Sequence, residues 1–260
     1  IQDRRDYNIF TIDPLNSKDF DDAFSIIEIE NGYKLSIYIA NVYMWFDVLD
    51  LWKAFSNRIS TIYLPDRKRP MLPNVLSDSI CSLKENCNRF SFVIDIIVDT
   101  NGNIIETEFL NALINVKKNF IYDELTLLQN HHYWNLFELI QKMNIKSKYI
   151  SDVVDSHDVI AYIMTLMNYL CAKKMIEFKI GIFRGFNIDT NYKPPEHLDE
   201  KIRKFLLYSR CSGGVYEKFS NNMKGHDILD FDAYVNITSP IRRLIDLLNM
   251  TILMEKMGLI

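Results

Sequence analysis

Four aspartates crowd one short stretch, "TIDPLNSKDFDDAF" (Thr11–Phe24): Asp13, Asp19, Asp21 and Asp22. They are set among Ile12, Phe20, Ala23 and Phe24. A run of like charge is ordinarily a solvated face, and that reading stays open at this point. Against it, Ile9–Ile12 reads as the end of a strand. Pro14 stops the strand, because proline cannot donate to a sheet ladder, and Phe20, Ala23 and Phe24 return the chain to the core. Carboxylates held this close must take up protons or share a cation. A hard divalent ion such as Mg2+ suits carboxylate oxygens and keeps waters for a substrate. The spacing excludes a calcium EF-hand, because the position that such a loop reserves for Gly falls on Lys18. Four carboxylates can support two ions about 4 Å apart, the arrangement used for in-line phosphodiester cleavage.

A second constellation is "AYVNITSPIRRLID" (Ala233–Asp246). Thr238 and Ser239 precede a helical pattern, with Ser239 placed to cap it, Pro240 in its first turn and Gly258 after its end. Arg242 and Arg243 in a first turn oppose the helix dipole, which points to a bound anion such as phosphate. The alternative is an Arg242–Asp246 pair one turn apart, with Arg243 in water. His131 and His132, a candidate metal pair, are adjacent and so face different sides of a helix.

Strand patterns come first and helical ones later. Phe24–Ile29 and Tyr33–Ile39 read as a hairpin with a tight primed turn at Asn31-Gly32. Phe90–Asp99 and Ile104–Phe109 read as a second pair around Asn101-Gly102-Asn103. Loop signals fill Trp45–Asn88, including "LPDRKRPMLP". Helical spacing covers Asp123–Lys142, Asp155–Lys174, Leu198–Tyr208 and the C-terminal segment. This order predicts an α/β or α+β domain with a mixed, largely antiparallel sheet.

The 260 residues are 48% hydrophobic, enough for a sizeable core, and the net charge of −4 gives no global basic signal for nucleic acid. A binder of RNA or DNA with this balance needs a local basic groove or neighbouring domains. The cysteines Cys81, Cys87, Cys171 and Cys211 show neither CxxC nor zinc spacing, which predicts free thiols in a reducing, intracellular compartment, the cytoplasm first. No basic-then-apolar leader and no uninterrupted apolar run of membrane length is seen, so neither secretion nor a membrane partner is expected. A chain opening on Ile1 is expected to be a piece of a longer protein.

With these residues in view, the chain resembles the RNB catalytic domain of ribonuclease II, ribonuclease R and the exosome's hydrolytic subunit. The resemblance is carried by "RRDYNIFTIDPLNSKDFDDAFSI" (Arg4–Ile27), "YIANVYMWF" (Tyr38–Phe46), "STIYLPDRKRPMLPNVLSDSICSLKEN" (Ser60–Asn86), "KKNFIYDEL" (Lys117–Leu125) and "GHDILDFDAYVNITSPIRRLIDLL" (Gly225–Leu248). These blocks stand in family order and span nearly the whole chain, 1–260, as one domain. The resemblance implies a curved mixed sheet wrapped by helices. It also implies a 3′→5′ exoribonuclease that releases 5′-mononucleotides from single-stranded RNA using Mg2+, as two ions, with Mn2+ as an alternative. Asp13, Asp19, Asp21 and Asp22 would bind the metal and orient the attacking water, with Asp21 the least replaceable. Arg242 would grip the scissile phosphate and Tyr122 would lie beside it. Tyr63, Arg184, Thr238 and Ser239 would complete the substrate contacts, with terminal bases stacking on Tyr63. Read without the family, Tyr63 is a core aromatic.

This sequence departs from the family in places. A glutamate pair expected in the helix before Met167-Asn168 is matched by Ala161 and Tyr162. The family's "IAD" reads Ile39-Ala40-Asn41, and the stretch Arg184–Tyr216 is short. Flanking barrel-type RNA-binding domains are absent from the piece, so they or separate partners would have to supply affinity. The rival expectation is an RNA-binding scaffold on a degenerate RNB fold, without catalysis.

Overall fold

The computed structural model describes residues 1–52, 58–186, 192–209, 214–221, 223 and 225–260. The chain divides into two compact units, Ile1–Met167 with Ile237–Ile260, and Asn168–Asn236.

The first unit is built on a closed five-stranded barrel. Strand β1 (Gln2–Asp13) pairs antiparallel with β2 (Asp22–Ile29), and β2 with β3 (Gly32–Ala40). Helix α1 (Val42–Val48) follows, then a small hairpin of β4 (Ile62–Tyr63) and β5 (Lys68–Arg69), and a single π-helical turn, Leu76–Ile80. Strand β6 (Asn88–Asp99) pairs with β3 and with the long β7 (Ile104–Ile121). Barrel closure comes from β7 lying parallel to β1. The curved, mixed and largely antiparallel sheet expected from the sequence is therefore present, and it closes on itself. The core is filled by Ile9, Phe10, Ile12, Phe24, Ile37, Phe92, Ile94 and Ile114, each at most 1% exposed.

Two short helices, α2 (Leu125–Leu128) and α3 (His131–Lys146), replace the single helix expected over Asp123–Lys142. The break is set by Asn130, whose side chain accepts the Tyr133 N–H and starts a new helix. The β2–β3 turn also differs. Ile29 pairs with Gly32, so the loop is Glu30–Asn31, and neither residue has the positive φ of a primed turn. Gly32 serves β6 instead: at φ +149 a Cβ there would lie 2.0 Å from the Val98 carbonyl oxygen. Tyr38–Phe46 leaves the strand at Ala40, and the Asn41 side chain accepts the Met44 N–H to cap α1. An aspartate would cap equally well, so the "IAN" departure keeps the local structure.

Helix α4 (Ser156–Phe178) is long and apolar enough to cross a membrane by length and composition, but 56% of its most apolar window is buried, as in a core helix. The second unit carries β8 (Ile182–Gly185), helix α5 (Glu200–Ser209) and β9 (Val215–Lys218) antiparallel to β8. Tyr169 stacks on Phe231 at 4.5 Å, and the Asn168 amide donates to the Tyr234 hydroxyl at 2.9 Å. The last helix, α6, runs Leu244–Lys256 and Gly258 follows it at φ +68. Cys81, Cys87 and Cys171 are free thiols, and Cys211 lies outside the described residues.

Candidate active site

Parallel pairing of β1 and β7 fixes the site. Strands that run the same way end at the same rim of the barrel, so Asp13 falls opposite Ile121 and the Tyr122 N–H donates to the Asp13 carbonyl at 3.2 Å. Strand β2, antiparallel to β1, starts at that rim with Asp22. The loop between them is pinned from below. Ser82 donates its hydroxyl to the Lys18 carbonyl at 2.8 Å and accepts the Phe20 N–H at 3.0 Å. The Asp21 carbonyl accepts the Ala40 N–H at 2.8 Å. The half of the stretch that carries Asp19, Asp21 and Asp22 is thus tied to packed structure, while Pro14–Asn16 and Lys18 stay exposed, so the solvated-loop reading fails for the carboxylates.

The four carboxylates divide into two kinds. Asp21 is 3% exposed and fully partnered: Oδ1 accepts the Ile241 N–H at 2.9 Å and Oδ2 accepts Arg242 Nε at 3.2 Å. Burial still pushes its carboxyl up to about 8, against the pull of Arg242 and the Ile241 N–H. Asp19 Oδ1 lies 3.0 Å from Lys68 Nζ, and Oδ2 accepts the Tyr63 hydroxyl at 2.8 Å. The Lys68 ammonium is held above its ordinary value, because its bonds to Asp78 and Asp19 outweigh burial. Asp13 and Asp22 form the second kind. Burial, together with repulsion from Asp21 and Asp19, pushes Asp13 up to about 7. Burial and then Asp13 push Asp22 up to about 8. Asp13 Oδ2 is buried with no hydrogen-bond partner.

This all-oxygen acidic pair with one orphaned oxygen fits a hard divalent cation, which would satisfy the oxygen and cancel the repulsion. Among the described residues no three His, Cys, Asp or Glu side chains converge as a ready-made cage. Asp19 and Asp21 are engaged by Lys68, Tyr63 and Arg242, which leaves Asp13 and Asp22 as the pair that would hold the ion.

These shifts have a thermodynamic sign. Both folded values lie above the 3.8 of a free aspartate, so the folded protein binds protons that the unfolded chain releases. Their contribution to stability is complete below about pH 4 and is lost as the pH rises through about 7 to 8. In chelator, the unfolding free energy is expected to fall from about pH 5 to 8, by up to about 1.4 kcal/mol per pH unit for each group, and Tm with it. Both side chains are only half-buried, so solvent screening makes this an upper bound. Added Mg2+ should shrink the fall. A Tm that stays flat in chelator across that range would remove the strained-pair reading.

Arg242 reaches the site by a route other than the one the sequence predicts. The helix starts at Leu244, with Arg243 extended before it, so neither Arg lies in a first turn. The Arg242 carbonyl accepts the Thr61 N–H at 2.8 Å and Leu244 donates to the Ile59 carbonyl at 2.9 Å; this pairing holds Arg243 extended between the turn at Ser239–Arg242 and the helix. The Arg242 guanidinium donates to Asp21 and, at 3.0 Å, to the Ser239 hydroxyl, while Arg243 takes Asp246 at 2.8 Å. The expected helix-terminus anion site and the alternative Arg242–Asp246 pair are both replaced by these contacts. Ser239 does not cap the helix, whose N-cap is Arg243; its N–H donates to Asp246 Oδ1 at 2.8 Å, and Thr238 beside it is 3% exposed.

Tyr63 is 57% exposed, not a core aromatic, and offers its ring to solvent while its hydroxyl holds Asp19. The Tyr122 ring stacks on His157 at 3.8 Å and 10°, and burial followed by Asp22 raises its hydroxyl well above the ordinary value. His157 is held from α4 beside a reciprocal cap: the Asp123 carboxylate accepts the Ser156 hydroxyl at 2.6 Å, and the Ser156 Oγ accepts the Asp123 N–H at 3.0 Å. Arg184 belongs to the second unit, where its N–H donates to the Tyr234 carbonyl at 2.8 Å. Tyr162, where a family glutamate is expected, is fully buried with its hydroxyl unpartnered and its ring on Tyr149 at 5.1 Å. Ala161 is exposed. His131 and His132 lie at the start of α3 with rings 5.9 Å apart, and His131 contacts Asn135.

Lys68 and His157 were not singled out from sequence. Lys68 sits in the basic loop "LPDRKRPMLP", and only its cross-strand partner Tyr63 gives a hint of where it points. His157 lies four residues before Ala161, in a segment where attention falls on the missing glutamate.

The RNB domain family matches residues 1–133. Ribonuclease R of Chlamydia pneumoniae is 27% identical over 312 aligned positions, covering 95% of this chain and 46% of that protein. A structure of Mycoplasma genitalium ribonuclease R with ribose-methylated single-stranded RNA superposes with a TM-score of 0.77 at 24% identity, over 97% of this chain and 50% of the other. Yeast Ssd1, a pseudonuclease, superposes at 0.79 with 16% identity, over 99% of this chain and 40% of the other. Both superpositions speak to the fold. The chain spans about half the length of these ribonuclease R relatives.

Proposed function

Because the chain belongs to the RNB domain family, we propose that it is the catalytic part of a 3′→5′ exoribonuclease, which hydrolyses single-stranded RNA to 5′-mononucleotides. The reading rests above all on one observation: a half-buried acidic pair, Asp13 and Asp22, shares the barrel rim with the Asp21-anchored Arg242. The resemblance to ribonuclease R supports the substrate and direction. Mg2+ is the cofactor of this reading, with Mn2+ its alternative; bound at Asp13 and Asp22 it would orient and acidify the attacking water and set positive charge opposite the phosphate.

The chain's own residues do the rest. Asp21 fixes Arg242, whose guanidinium keeps donors free for a phosphate oxygen and so stabilises charge that develops on it. The hydroxyl of Tyr122 stays protonated at neutral pH and can donate to the same phosphate. Tyr63 offers an exposed ring for a terminal base. Contacts of Arg184, Thr238 and Ser239 with RNA belong to the same proposal. Flanking or separate RNA-binding domains would add affinity, and the free thiols support a reducing, cytoplasmic setting.

The scaffold reading has its own support: the fold is shared with a pseudonuclease, and the expected glutamate is a buried Tyr162. One assay separates the two. With 5′-labelled single-stranded RNA and Mg2+, a ladder of products shortened one nucleotide at a time is expected, absent in chelator. Binding without shortening would favour the scaffold, and internal cuts would favour an endonuclease.

A further inference from the structure

We propose that Lys68 is a resident counter-ion of the acidic site, so that the site takes one divalent cation, at Asp13 and Asp22, where four aspartates alone would suggest two. The inference rests on the metal reading just given. Tyr63 and Lys68 are a cross-strand pair of the β4–β5 hairpin, so their side chains leave the same face, and both reach Asp19. Each Asp19 oxygen is taken: one by the Lys68 ammonium at 3.0 Å, the other by the Tyr63 hydroxyl at 2.8 Å. The ammonium is anchored a second time, to Asp78 Oδ1 at 2.7 Å on the π-helical turn, and the Ser77 hydroxyl donates to that same oxygen.

These groups are largely out of water, with Lys68 21%, Asp19 9% and Asp78 19% exposed, so this is not a surface pair that salt would dissolve. A dication bound through Asp19 would have to displace the ammonium and then sit beside it, charge against like charge. Asp13 and Asp22 feel the charge of Arg242 but have no bonded ammonium to displace, and Asp13 still has an orphaned oxygen. The charge balance agrees. When all are ionised, Asp13, Asp19, Asp21, Asp22 and Asp78 less Arg242, Lys68 and Lys18 leave two negative charges, which one divalent ion cancels. Asp78, the ammonium's other partner, also feels the nearby charge of Lys18.

The test counts bound Mn2+ on the purified chain by electron paramagnetic resonance, with circular dichroism to confirm folding. Wild type is expected to bind one equivalent, Lys68→Met two, and Lys68→Arg one. Two equivalents in wild type, or one in a folded Lys68→Met, would overturn the counter-ion role while leaving the metal reading intact. No ion bound by any form would overturn the metal reading, and the inference with it. If Lys68→Met does not fold, Asp19→Asn decides: the single equivalent should persist, and its loss would make Asp19 a ligand and sink the proposal.

Discussion

Asp21→Asn is expected to lower the rate of RNA shortening by roughly 100- to 1000-fold while leaving the fold intact. The side chain is almost fully buried and acts as a double acceptor. An amide of the same shape can still accept the Ile241 N–H through its oxygen. Its other end then presents an N–H to Arg242 Nε, where a carboxylate oxygen now stands at 3.2 Å. Donor meets donor, and Arg242, about half exposed, swings away from the position from which it would grip phosphate. The fold should tolerate the change, because burial already disfavours the Asp21 charge and the amide removes that cost. Single-turnover kinetics on 5′-labelled RNA, with Tm measured in parallel, check the result. Shortening at the wild-type rate would mean that this barrel rim is not where hydrolysis occurs. A matching loss of Tm would mean that the effect is structural.

Much of this was legible in sequence where the signal is local. The β2–β3 and β6–β7 pairings, the helical second half and the acidic loop follow from alternation and composition, although the β2–β3 turn is not the primed one expected and β7 runs past the expected end at Phe109 to Ile121. The acidic loop owes its legibility to Pro14 and Phe24, which mark both ends of it. What escaped depends on partners far apart in the chain. Barrel closure needs β1 to lie along β7, and neither strand's own pattern names the other. The Ser239-Pro240 signature reads as a helix start and does begin a single turn, but residues 59–61 pair with 242–244 and hold Arg243 extended, so the helix waits until Leu244. The same limit applies to charge. Four aspartates look equivalent in a string of letters. The fold assigns Arg242 to one and Lys68 to another, and leaves Asp13 and Asp22 facing each other.

The barrel that makes those assignments carries its own buried charge, and Asp95→Ala is expected to cost about 3–5 kcal/mol of stability. Asp95 on β6 is 3% exposed and accepts four bonds: two from Arg4 of β1 at 2.7 and 2.6 Å, one from Lys34 of β3 at 2.6 Å and one from Ser36 at 2.7 Å. Arg4 is itself only 2% exposed. Alanine would strand that guanidinium inside the barrel without its counter-charge, and a loss of this size is a large part of the roughly 5–15 kcal/mol that holds a domain together. Urea unfolding in chelator measures it, and a loss below about 1 kcal/mol would mean that water or Gln2 takes over as partner. Replacing Arg4 and Asp95 together by apolar residues should recover most of the loss, because the cost lies in the unpaired charge. The pH dependence separates this network from the active-site pair. Burial would raise the Asp95 carboxyl, but the bonds from Arg4, Lys34 and Ser36 hold it below the ordinary value. Its contribution is therefore present above the unfolded pKa of 3.8 and is lost as the pH falls through the depressed folded value. Asp13 and Asp22 act in the opposite sense, losing their contribution as the pH rises. Asp95→Asn should accordingly flatten the acid limb of the stability profile and leave the limb between about pH 5 and 8 unchanged.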